Sequence, residues 1–189
     1  MHKKIKNIIH SMDVKKDPET AHSGAREIYQ LGPEAMDVLV DIGTAVNVNE
    51  EEVATRHKLI RAIIFSLSKF TKKNFLLKPM LLDNEDAIQL LCNFSEQGFN
   101  SARTVLFGLG FSTEDILKKR LMSLPVVDSN ERDREITLNE AVQEIKAADL
   151  TLMIKKIKNQ GYTIGTTPKH SHEIFKTGKH KFAYRIRRL

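Results

Sequence analysis

The chain has 189 residues, 41% of them hydrophobic and 29% charged, which is the composition of a folded globular protein with room for one ordinary domain or two small ones. Its single cysteine, Cys92, excludes an intrachain disulfide and any cysteine-based zinc site. The formal charge is +6 and unevenly spread: residues 1–150 hold 20 Lys and Arg against 23 Asp and Glu, whereas residues 151–189 hold 10 against one, Glu173. Such an asymmetry suggests a polyanion-binding end on a near-neutral body, or a basic segment that only aids solubility.

No apolar run approaches the roughly 20 residues needed to cross a bilayer. The N-terminal MHKKIKNIIHSMDVKKD lacks the apolar core and cleavage site of a signal peptide, so a cytoplasmic location without membrane association is expected. From Glu19 to Val46 the apolar residues Ile28, Leu31, Met36, Leu39, Val40 and Ile42 fall mostly at three- and four-residue spacings, interrupted by Gly32-Pro33. This predicts two helices and a tight turn, with Gly ending the first and Pro opening the second. Val53, Leu59, Ile60, Ile63, Ile64, Leu67 and Phe70 predict a well-buried helix next, and the Glu50–Glu52 cluster before it suits a helix start, where the dipole favours acids. Short helices are expected over 74–82, 85–96 and 101–109, and another beginning after Ser112, where Asp115 three residues on suggests a capping box. Phe94, Phe99, Phe107 and Phe111 read as core.

REIYQLGPEAMDVLVDIG, in which one helix ends in Leu-Gly and Pro opens the next, resembles a HEAT-like repeat. Without a clean period along the chain, a HEAT-like stack and an irregular helical bundle both fit residues 1–124. The polar, proline-opened stretch beginning PVVDSNERDRE then predicts a linker over 125–136.

In the remaining 137–189, Thr137 can cap a helix with Leu138, Ala141, Val142 and Ile145 on one face. A second helix is expected from Asp149 or Leu150, burying Leu150, Ile154 and Ile157 and turning Thr151, Lys155, Lys156 and Lys158 to solvent. Gly161 ends it, Tyr162 and Ile164 alternate as in a strand, and HEIFKTGKHKFAYRIRRL reads as strand, Thr177-Gly178 turn, strand. The order helix, turn, helix, hairpin, with TL-x-EA, Ile154-x-x-Ile157-x-x-x-Gly161-Tyr162-x-Ile164 and Tyr184-Arg185-x-Arg187, resembles the small winged helix-turn-helix domains of bacteriophage and prophage proteins. Lys146 stands where that family usually has a turn glycine, and the family's first helix would have to be Glu114–Met122, lent by the body or absent.

The resemblance implies a mainly α protein ending in a small α+β domain, with the second helix in the major groove of duplex DNA and the hairpin along the backbone. Thr151, Leu152, Lys155 and Lys156 are then expected at base edges. Phosphates would meet Lys155, Lys156, Lys158, Lys169, Lys176, Lys179, Lys181, Arg185, Arg187 and Arg188. The helical body would mediate protein contacts, as in a phage or bacterial regulator or an accessory factor of DNA transactions. The alternative is a helical adaptor whose basic hairpin docks an acidic protein or structured RNA.

No nucleotide-binding, hydrolase or metalloprotease motif occurs, so neither catalytic residues nor a cofactor are expected. HEAT-like stacks include DNA glycosylases, but those rely on aromatic platforms and this chain has no Trp. His170, His172 and His180 lie close in sequence, yet Glu173 would face the opposite side of a strand, which favours phosphate-side residues over metal ligands.

Overall fold

The computed structural model describes residues 1–48, 52–71, 79–147, 155–157, 161–166 and 169–188. They form a mainly helical chain with an antiparallel sheet near its C-terminus, divided into one unit spanning Met1–Gly110 and a second spanning Phe111–Leu189.

In the first unit, α1 (His2–Ser11) buries Ile5 and Ile9, one turn apart on one face, and Met12 follows them into the core. Asp17 caps α2 (Pro18–Gln30) by accepting from the Thr20 amide, with Pro18 in the first turn, where a missing N–H costs nothing. The expected turn follows: Gly32 takes φ +88°, conformational space that favours glycine, and α3 (Glu34–Val48) begins just after Pro33. The central α4 (Val53–Leu67) buries Leu59, Ile60, Ile63, Ile64 and Leu67, and Phe70 is buried in the 3-10 turn Ser68–Thr71.

Val53 departs from the expected apolar face: at the first position of α4, before the helix has entered the core, it is 58% exposed. Glu52 occupies the N-cap of α4 without a side-chain cap, while Glu50 and Glu51 lie outside the described residues. Of the helix expected over 74–82, residues 72–78 also lie outside them, and Met80–Asp83 forms a 3-10 turn ahead of the Asn84 cap of α5 (Glu85–Glu96). Next comes α6 (Asn100–Gly108). Phe94 and Phe99 are core residues and Phe111 is half-buried, but Phe107 is 46% exposed because α6 turns it away from the face that carries Ala102 and Leu106.

The second unit opens with α7 (Thr113–Met122). Ser112 and Asp115 close the expected capping box at its start, side chain to backbone in both directions. The strand β1 (Arg134–Thr137) runs directly into α8 (Leu138–Ala147), which Thr137 and Glu140 cap in the same reciprocal way. Next are β2 (Lys155–Ile157), β3 (Gly161–Thr166), β4 (His170–Lys176) and β5 (Lys181–Arg188), in an all-antiparallel sheet of order β1-β5-β4-β3-β2. Leu117, Leu121 and Leu124 cluster with Ala141, Val142 and Ile145 of α8 against Ile136, Ile174 and Phe182 of the sheet. Each large side chain so buried contributes about 1.5–3 kcal/mol.

Two expectations for this region are corrected. Lys155–Ile157, expected in the second helix of a helix-turn-helix, is a strand whose Lys155, Lys156 and Ile157 pair with Thr163, Tyr162 and Gly161. An apolar spacing of three, Ile154 to Ile157, does not separate helix from strand in so short a run, and the neighbouring strand supplies the backbone partners. The rest of that stretch, 148–154 and 158–160, lies outside the described residues.

Likewise, the segment expected as a linker over 125–136 is stitched to the sheet. Val126 bridges Lys176 in parallel, the Val127 amide donates to the Lys176 carbonyl at 2.8 Å, and β1 has begun by Arg134. Helix Thr113–Met122 accordingly belongs with the sheet, and the division of the chain falls at Gly110/Phe111.

Candidate nucleic-acid interface

The division concentrates charge. Residues 1–110 hold 14 Lys and Arg against 14 Asp and Glu, and residues 111–189 hold 16 against 10, so the whole net +6 resides in the second unit. Within it, the β4–β5 hairpin forms where the sequence suggests: Thr177 and Gly178 donate their amides to the Lys181 carbonyl across the turn.

The middle of the hairpin is closed to a ligand. On one side Ile174 and Phe182 pack on α7 and α8; on the other, Ser171, Glu173, Phe175 and Ala183 are each at most 5% exposed. Exposure is confined to the ends. At the turn stand Lys179, His180 and Lys181; at the open end are Lys169 and His170 opposite Ile186, Arg187 and Arg188. At roughly 3.3 Å per residue, the run from Lys181 to Arg188 separates the two basic groups by about 23 Å.

The expected phosphate contacts do not behave alike. Arg185 points inward, 14% exposed at its side chain. Nε and Nη2 donate to the two carboxylate oxygens of Asp133 at 2.8 and 2.7 Å, and the guanidinium lies 4.5 Å from the Phe175 ring centroid. This two-pronged pairing holds the Asp133 carboxyl below the usual Asp range and raises Arg185 further above neutrality, so Arg185 is a fastener between β5 and the segment before β1. Lys176 is likewise engaged: its Nζ donates to the carbonyl of Met122, at the end of α7, where a cation complements the helix dipole.

Lys181 pairs with Glu135 at 3.1 Å, but both side chains are 67% exposed, and such a pair yields to a phosphate at little cost. Arg187 is 55% exposed, with Nε 3.8 Å from Oε2 of the buried Glu173. Lys169, Lys179 and Arg188 are exposed. The backbones of Lys155 and Lys156 lie in β2 at the sheet edge opposite β1, while Thr151, Leu152 and Lys158 lie outside the described residues.

Sequence reasoning misses Arg132. Its segment mixes both signs of charge, four acids against two bases, and has no periodicity, yet the fold brings Arg132 to an open groove of about 620 Å³ that it shares with Ile186 and Arg187. Of the histidines, His172 bonds through Nδ1 to the Tyr184 hydroxyl and stands apart from the exposed His170 and His180. Among the described residues no three His, Cys, Asp or Glu side chains are grouped as metal ligands, and no helix is long and apolar enough to cross a membrane.

Comparison with known proteins returns nothing similar: no protein family, curated protein or solved structure matches the chain.

Proposed function

We propose that the protein is a non-enzymatic, duplex-DNA-binding protein, a regulator or accessory factor whose second unit grips the sugar-phosphate backbone and whose helical first unit contacts a protein partner. One observation carries this reading: exposed cations gather at both ends of a hairpin whose centre is buried, in the unit that holds all of the net charge. Two cationic groups about 23 Å apart suit a duplex, whose two strands together present one phosphate per 1.7 Å or so of axis.

In this account the hairpin acts as the wing of a winged helix does. Lys155–Ile157 is a strand, so no recognition helix spans those lysines, and affinity comes from phosphates with little base preference. Lys169, Lys179, Lys181, Arg187 and Arg188 make the contacts, with Arg132 beside them.

Competition on a labelled 20-base-pair duplex tests the reading. Unlabelled duplexes of unrelated sequence should displace the probe equally well, and a structured RNA or a polyglutamate peptide should need at least tenfold more. Displacement by the RNA or the acidic peptide at lower concentration than by DNA would instead make the protein an adaptor whose basic hairpin docks that class of partner.

A further inference from the structure

The first unit holds a cleft that the DNA reading does not use. It encloses about 770 Å³ between the α1–α2 turn, α4 and the start of α6, within the roughly 300–1,000 Å³ typical of small-molecule sites. Much of its wall is apolar: Ile64, Phe65, Phe99 and Val105 line it, and the Phe99 ring meets the His57 ring edge-on at 5.2 Å. Its basic groups stand without acidic ones. Lys15, His57 and Arg61 reach it from two separate elements, and among the described residues no Asp or Glu lines it. Of the acids flanking Lys15 in sequence, Asp13 spends its carboxylate on the amides of Lys15 and Lys16, and Asp17 accepts from the Thr20 amide.

The start of α6 adds to this field. The nine-residue helix has Phe99 at its N-cap and therefore no side-chain cap, and Asn100 and Ser101, whose amides belong to the first turn, both line the cleft. Three basic side chains, an uncapped helix start and an aromatic and aliphatic wall complement a molecule that is apolar at one end and negative at the other.

We propose that this cleft binds a small organic anion, its apolar body against Phe65, Phe99 and Val105 and its carboxylate or phosphate head held by Arg61, His57, Lys15 and the first-turn amides of α6. Nothing in this assignment rests on DNA binding, because every residue belongs to the first unit.

Calorimetric titration of the full chain with hexyl phosphate, hexanoate, hexanol and inorganic phosphate tests it. One of the two anionic amphiphiles should bind saturably at one site, and hexanol and inorganic phosphate at least tenfold more weakly, since each supplies half of the complementarity. The tighter of hexyl phosphate and hexanoate identifies the head group. Arg61→Ala should weaken that ligand at least tenfold and Val105→Trp, which fills the cleft, should abolish binding, both with unchanged helical circular dichroism. Arg61 is only partly buried, so its variant tests the site even if Val105→Trp fails to fold. Hexanol binding as tightly as either anion, Arg61→Ala binding like the parent, or no saturable binding of either anion would overturn the proposal.

Discussion

Arg185 and Arg187 are two residues apart on one strand, on the same side of the sheet, and do different work. Arg185 is committed to Asp133, whose side chain is only 2% exposed, whereas Arg187 remains 55% exposed with its Nε 3.8 Å from the buried Glu173 carboxylate. Removing one partner of a buried, two-pronged pair strands the other, so Asp133→Asn should destabilise the second unit by roughly 3 kcal/mol. Arg185 depresses the Asp133 carboxyl below its unfolded value of about 3.9, so the pair's contribution is whole above that pH and is lost as pH falls through the depressed value. Urea unfolding followed through the methyl resonances of Ile136, Val142 and Ile174 should show this acid-side loss in the parent and a flatter profile in the variant. Identical pH profiles would mean the pair is not formed in solution. Arg187→Ala removes only a longer, single contact to the buried Glu173, so it should destabilise less than Asp133→Asn, and it should weaken DNA binding.

At the scale of elements, the segment 126–137 decides whether the second unit begins at α7 or after a free linker. The Val127 amide, bonded to the Lys176 carbonyl, should exchange its hydrogen at least a hundredfold more slowly than an unstructured chain; exchange at the unstructured rate would restore the linker. Local signals made much of the fold legible. Gly32-Pro33, the Ser112–Asp115 box and the Thr177-Gly178 turn each involve neighbours within a few residues, and each forms as their chemistry dictates. What sequence reading missed depends on distant partners. The PVVDSNERDRE stretch looks like a solvated linker until Arg185, 52 residues beyond Asp133, is placed against it. Lys155–Ile157 becomes a strand because β3 lies beside it, and helix His2–Ser11 rests on two isoleucines amid lysines, too sparse a stripe to stand out. The same limit hid Arg132, whose neighbours at the groove come from the far end of the chain.

For the whole molecule, a neutral helical unit and a basic sheet unit are distinct, and in the proposed function the second holds the duplex while the first meets a protein partner. That proposal predicts a DNA affinity that is electrostatic and strongly dependent on salt, with little discrimination among sequences. The most direct test is the slope of log affinity against log salt concentration for a duplex, measured on the parent, on Arg187→Ala/Arg188→Ala, and on Lys3→Ala/Lys6→Ala in α1 as a control outside the interface. Every phosphate that a substitution leaves without its cation should flatten the slope by about 0.9, so the hairpin variant should be shallower by roughly 2 and the control should match the parent. A parent slope near zero, or a control that flattens as much as the hairpin variant, would contradict phosphate binding by the hairpin.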